Sequence, residues 1–402
     1  MKLVNLLIYL MLSCLLFSCN KAKQNSIDNT QPKSIVKVDF GNPISLKASD
    51  IFQNFKFIQL GDINGKLIGG IEKALKYDNK LYIKTKNSIF VHDINGKYLF
   101  DISDKGEDSQ KYRTITDFIV HGNYIEIMDN RSRKVMVYDI NGKYLTSWKY
   151  PLFAISFTIL PDGKYAFYSA NTPNEDNDNM IHIFSKEENK VVSNQFKINP
   201  KIVEYFQYID YNNFMNYNGV KLTMSGNNTI YNYENGVFKP HKLINLSKYK
   251  IPDEVFEKKF QDVSYFDKYL EKNDYVGILS ALYFENDRFS ISILTQHTKD
   301  KFLLIENKNS KKVILCNKII DDFNFDGKID YPFNFDTIPI GVGENYLIFT
   351  FESEAFLEIL KKCKNKMTDE EWKKMLKNNN VINKIQSNLT IASNPIIVIA
   401  DL

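Results

Sequence analysis

Asp322, Asn324, Asp326 and Asp330 have the spacing that opens a calcium-binding loop, with Gly327 and Ile329 between them. Such loops put oxygen ligands at positions 1, 3, 5 and 9, a glycine at the sharp turn and an apolar residue after it. Position 12 calls for a bidentate carboxylate. The chain has Phe333 there, preceded by Pro332. Losing that ligand removes two oxygens and a charge, so the stretch reads as a turn rich in Asp and Asn. No metal and no cofactor are expected.

His92, His121, His182, His241 and His297 are scattered along the chain. None has a second His, Cys or carboxylate at a diagnostic metal-ligand spacing. They read as separate strand or surface residues, unless the fold gathers them. The run from Tyr205 through Phe206, Tyr208 and Tyr211 to Phe214, with Asp210, Asn212 and Asn213 inside it, offers two readings. Flat apolar faces beside polar edges suit a glycan or peptide cleft. The same residues suit packing between structural units, which is the preferred reading. Residues 174–179 read as a solvated acidic loop. The chain has no nucleophile elbow, phosphate loop, zinc-protease motif or dinucleotide fingerprint, and no catalytic residue is assigned.

Charge excludes another class. Lys and Arg number 52 against 48 Asp and Glu, a net charge of +4, and no long basic run exists. Nucleic acid is therefore not an expected partner.

The N-terminus states an address. Lys2 precedes an apolar run over residues 3–17, too short for a comfortable membrane span. Leu16-Phe17-Ser18-Cys19 looks like the lipobox of bacterial lipoproteins. That resemblance implies cleavage before Cys19 and lipidation of its thiol. Cys14 is a rival acceptor, but it leaves a shorter apolar region. Residues 1–18 are thus read as a signal peptide and 19–33 as a flexible polar tether. A multiply acylated N-terminus would hold the chain on a membrane. Of the other cysteines, Cys316 and Cys363, an exported chain could make one disulfide or none. Two buried thiols are the preferred reading.

The elements that must carry any site are strands. Aromatic content is high at 14%, with 24 Tyr and 29 Phe. Residues 88–99 and 134–145 repeat one pattern: an alternating strand, Asp-Ile-Asn-Gly, then Lys-Tyr-Leu. Asp93 and Asp139 stand 46 residues apart. Asn-Gly supplies the positive φ of a tight hairpin, and the period suits one four-stranded propeller blade. The pattern extends over 71–102, 115–148, 153–198, 214–246, 278–319 and 338–351. Pro395-Ile396-Ile397-Val398-Ile399 completes the last unit. Residues 62–66 copy the turn peptide out of step and read as a hairpin turn before the first blade. A ring of blades buries faces that no single blade could. The expected fold is all-β, a six-bladed β-propeller over 34–402. Strand 34–40 and the C-terminal strand are expected to share the closing blade. Two tandem sandwiches are the alternative.

Residues 252–270 and 354–376 break the β pattern with helical spacing. Thr368-Asp369-Glu370-Glu371 forms a capping box ahead of Trp372, Met375 and Leu376. A helical insertion near the C-terminus is expected; a lid or partner-docking helix is the sharper alternative.

These features resemble the six-bladed β-propeller lipoproteins of Bacteroidota-type Gram-negative bacteria, related in fold to NHL-like and TolB-like propellers. The resemblance rests on Phe57-Ile58-Gln59-Leu60 with Leu67-Ile68-Gly69, on residues 137–145, on 322–332, and on Asn394-Pro395-Ile396-Ile397-Val398-Ile399. It implies an outer-membrane lipoprotein facing the periplasm or the cell surface. The chain departs from that family at 106–112, where only Gly106 and Tyr112 remain of a glycine-rich stretch. Any ligand of that loop does not carry over. The first functional expectation is a binding or scaffold module for a peptide, a glycan or an envelope protein. The second is a metal-dependent lyase or lactonase-type hydrolase with its site at the axis. Three converging His or carboxylate ligands at the ring mouth would favour the enzyme; a Tyr-lined mouth would favour binding.

Overall fold

The computed structural model describes residues 23–24, 31–63, 65, 67–174, 177–203, 205, 212–224, 226–296, 300–332 and 338–402. Side chains of 23–24, 277–281 and 332 are not described. The fold is a six-bladed β-propeller.

Each blade is an antiparallel sheet that starts at the central axis. Blade 1 holds Ile71–Tyr77, Lys80–Thr85, Ile89–Asp93 and Tyr98–Ile102. Blade 2 holds Asp117–His121, Tyr124–Asp129, Lys134–Asp139 and Tyr144–Lys149. Blade 3 holds Ser156–Ile159, Tyr165–Tyr168, Asn179–Ser185 and Lys190–Lys197. Blade 4 holds Phe214–Asn216, Val220–Leu222, Thr229–Glu234 and Val237–Asn245. Blade 5 holds Val276–Glu285, Phe289–Gln296, Asp300–Asn307 and Val313–Asp321, extended by Ile329–Pro332. The units expected from the repeat coincide with these blades.

The repeated turns behave as their chemistry requires. In blades 1 and 2 the Asp93 and Asp139 carboxylates accept backbone N–H groups of Asn95 and Lys97, and of Asn141 and Lys143. Gly96 and Gly142 sit at φ +88° and +84°. Only glycine adopts such angles without strain.

Ring closure differs from expectation. Blade 6 runs Gly341–Val342, Tyr346–Phe351, Ile396–Asp401 and then Asn54–Gln59 as its outer strand. The closing partner of the C-terminal strand is therefore 54–59, not 34–40. Ser34–Lys37 instead adds a parallel outer strand to blade 4, and Ile44–Lys47 does so on blade 5. The burial of each strand explains the assignment. Phe55, Phe57 and Ile58 are buried between blade faces, while Ser34–Lys37 buries only Val36. The more apolar strand fills the site that is covered on both faces. Lys23 and Gln24, inside the stretch read as a tether, pair parallel with blade 3. The remainder of residues 1–30, with the proposed signal and Cys19, lies outside the described residues.

The turn at 62–66 is also corrected. Asp62 accepts from the N–H of Gly65 at 2.9 Å, but strands 54–59 and 71–77 lie in different blades. The segment is a blade-to-blade crossing, pinned where Asn394 receives the N–H of Ile68 and donates to the carbonyl of Gly61. A hairpin was excluded because strand 54–59 pairs with the C-terminus.

Both helical regions form. Helix α1 spans Val263–Lys272, capped by Asp262. Helices α2 (Ser353–Asn365), α3 (Asp369–Asn378) and α4 (Asn380–Asn388) are inserted in blade 6. Thr368 and Glu371 make the expected capping box. Trp372 and Met375 are buried, and Leu376 packs against the same core beside blades 5 and 6. Cys316 and Cys363 are buried free thiols in that core. Burial pushes both thiols up to about 11.

Candidate functional site at the propeller axis

The inner strands of all six blades line one cavity of about 240 Å³ along the axis. Ring closure brings blade 6 against blade 1: the N–H of Ala74 donates to the carbonyl of Ile340 at 3.1 Å. Gly341 permits the approach. A Cβ there would lie 2.0 Å from the carbonyl oxygen of Ala74.

A buried polar network ties blades 1, 2 and 3 at the axis. Lys73 Nζ is 2.7 Å from Asp117 Oδ1 and donates to the carbonyl of Phe118 at 3.0 Å. The other Asp117 oxygen accepts from Ser156 Oγ at 2.8 Å and from the N–H of Phe157 at 3.1 Å. Thr158 and Asn216 continue the chain from blade 3 to blade 4 at 2.7–2.9 Å.

Tyr77, Tyr217, Tyr283 and Tyr346 also line the cavity. The Tyr346 hydroxyl donates to the carbonyl of Lys76 at 2.9 Å, and Lys76 Nζ lies 5.0 Å from the Tyr346 ring centroid. Burial pushes the Tyr346 hydroxyl up to about 12. On the opposite side, blade 4 supplies Lys221, which is 6% exposed. Its ammonium donates to the Asn218 carbonyl at 3.0 Å and to Asn232 Oδ1 at 2.9 Å. Burial pulls its pKa down, and Glu285 offsets this only in part.

Glu285 is the buried carboxylate at the blade 4–5 side of the cavity. Burial alone would raise its pKa. His241 at 2.7 Å, Lys308 at 3.1 Å and Lys242 more than offset that, holding it well below the usual range.

The histidines do not converge. His92 and His182 sit in third strands, and His241 in the outer strand of blade 4. Only His121 is on an axial strand, where it meets Glu126 at 3.2 Å. His297 lies outside the described residues. Among the described residues no group of three or more His, Cys, Asp or Glu is placed to hold a metal.

The acidic loop is organised by a residue just before the motif. Asp321 accepts the N–H groups of Phe323 and Asn324 and the Tyr331 hydroxyl. Asp322 faces away, taking the N–H of Ser49 at 3.0 Å and its hydroxyl at 2.5 Å. Asp330 pairs with Lys318 at 2.9 Å. Position 12, Phe333, is outside the described residues. In the aromatic run, Tyr205 stacks on Phe266 of α1 at 4.3 Å, and Asn212 and Phe214 line the axial cavity; residues 206–211 are outside the described set. Tyr112 is a structural pin, fully buried, with its hydroxyl on the carbonyls of Asn87 and Ile102.

The residues that sequence reasoning missed are the axial ones: Lys73, Lys76, Lys221, Tyr77, Tyr217 and Tyr346. Their one shared signal is a polar or aromatic side chain in or beside the first two strands of a blade. That signal is readable only once the ring is known.

A family profile described as a domain of unknown function (DUF4934) matches residues 33–401. The chain belongs to the DUF4934 family. Among solved structures, this DUF4934 chain is similar to a presumptive exported protein from Bacteroides fragilis. The two are 15% identical at a TM-score of 0.70, over 92% of this chain and 99% of that one. More distant likenesses are a member of the DUF4221 family from Bacteroides vulgatus and the WD40 domain of Neurospora crassa Pan2. The first is 10% identical at TM-score 0.42, over 87% of this chain and 96% of that one. The second is 9% identical at 0.39, over 74% and 79%. No curated protein matches the sequence. The Bacteroides likeness supports the propeller fold of this chain. Among the described residues no helix is long and apolar enough to cross a membrane.

Proposed function

We propose that this DUF4934 protein is an exported lipoprotein, held on the outer membrane through Cys19. Its propeller binds a peptide, glycan or partner protein at the axial mouth and does not transform it. One observation carries this reading. The mouth is lined by tyrosines from blades 1, 4, 5 and 6, amides from blade 4 and lysines from blades 1 and 4, and the described histidines do not converge on it. Aromatic faces with a few placed polar groups are the usual furniture of a recognition site. The propeller fold itself is neutral on function.

The test is a paired capture from the native envelope, using the lipidated wild type and Asn216→Trp. Asn216 is exposed in the mouth, so the indole fills the cavity; the change also removes the bond to buried Thr158, so the melting curve of the variant is read alongside. A partner or glycan retained by wild type and lost with Asn216→Trp supports the reading. Equal retention by both moves the binding surface elsewhere.

A further inference from the structure

The charges of the axial cavity are unevenly matched, and the mismatch names a ligand class. Lys73 is neutralised by Asp117. Glu285 pairs with Lys308 at 3.1 Å and hydrogen-bonds to His241, while Lys242, 3.8 Å away, pairs closely with Glu306. Two lysines remain. Lys221 is buried; it donates to a carbonyl and a side-chain amide, and Glu285 and Glu234 act on it only through space. Lys76 leans on the Tyr346 ring and pairs with no described carboxylate. The other acid of the lining, Glu344, is exposed. A buried ammonium with no carboxylate in contact is costly, and an incoming anion relieves that cost.

The two cations come from blades 1 and 4, which face each other across a six-membered ring. The same cavity is lined by Tyr77, Tyr217, Tyr346, Asn212 and Asn216. Aromatic faces stack on the C–H face of a sugar, amides pair with hydroxyls, and an ammonium takes a carboxylate. A ligand with its own ammonium, such as a free amino acid, would find the inner carboxylate already occupied. The cavity of about 240 Å³ suits one sugar ring rather than a folded chain.

We infer that the axial cavity recognises an acidic sugar, a hexuronic acid residue, with its carboxylate held between Lys76 and Lys221. This rests on the proposal that the axial mouth is the binding site, and it adds the ligand class. The probes are D-galacturonate and D-glucuronate, with D-galactose and D-glucose as neutral partners, titrated by calorimetry into the propeller lacking residues 1–18 and Cys19. At least one uronate is expected to bind at least about tenfold tighter than its neutral partner, since hydrogen bonds between ionised groups are the strong ones. Lys76→Met is expected to lose most of that preference, and added salt to weaken it. Lys221→Met is expected to do the same; because Lys221 is buried, its melting curve is read alongside, and the partly exposed Lys76 carries the result if it unfolds.

Neutral sugars binding as tightly as uronates, with both lost in Asn216→Trp, would overturn the acidic-sugar inference and leave the axial site standing. Binding of neither uronate would overturn the inference, while the envelope capture decides the axial site separately. Uronate binding unchanged in both Lys76→Met and Asn216→Trp would place the sugar outside the cavity and overturn it too.

Discussion

Lys73 and Asp117 meet at 2.7 Å beside the propeller axis, joining the inner strands of blades 1 and 2, and both are buried. Asp117 reaches on to Ser156 and Phe157 of blade 3, so one carboxylate ties three blades. Breaking such a pair leaves a charge buried without its partner, at a cost of about 3–5 kcal/mol. Asp117→Ala is expected to lower stability by about that much in urea unfolding. Adding Lys73→Met to the same chain should recover part of the loss. A loss under about 1 kcal/mol for Asp117→Ala would show that the pair does not hold the ring.

Gly341 is where blade 6 closes on blade 1. A methyl group there would stand 2.0 Å from the carbonyl of Ala74. The backbone cannot yield cheaply, since Ala74 also bonds to Ile340 across the same seam. Gly341→Ala should destabilise the ring by about 1–3 kcal/mol, the range for overpacking. Gly122→Ala, at a hairpin with open space around its Cβ, should cost less despite its positive φ. Thermal melts of the two variants make the comparison.

His92 is fully buried in blade 1, and burial pulls its pKa down to about 4. The unfolded chain holds this proton up to about pH 6.5. Between about pH 6.5 and pH 4 the unfolded state therefore binds more protons than the folded one. Stability from this residue is full above pH 6.5 and falls as pH drops through that window. Urea midpoints should decline from pH 7 to pH 4, and His92→Phe should flatten the decline. An unchanged slope in the variant would assign the pH dependence to other groups.

The acidic loop at 321–330 is expected to need no metal. Asp322 and Asp330 already have protein partners in Ser49 and Lys318. EDTA should leave the melting temperature unchanged, and a drop of several degrees would restore the calcium reading.

Cys19→Ala should abolish metabolic labelling with a fatty-acid probe and release the protein from membranes. Labelling that persists in this variant but disappears in Cys14→Ala would move the anchor to the rival cysteine.

Local chemistry made much of this protein legible in its sequence. The Asp-Ile-Asn-Gly turns, the strand alternation and the 46-residue period are short-range signals, and each acts through backbone angles within a few residues. They sufficed for six blades with near-correct limits and for the Thr368 capping box. Three things were settled only in three dimensions. Strand 54–59 took the closing position over 34–40 because Phe55, Phe57 and Ile58 fill a space that exists only when blades 5, 6 and 1 are assembled. The described histidines stayed apart because all but His121 sit in third or outer strands, away from the axis. Lys76, Lys221 and Tyr346, far apart along the chain, share one cavity because ring closure brings the first two strands of different blades around one axis. Periodicity reports which face a residue takes in its own sheet; which distant residues then share an axis depends on how the sheets close.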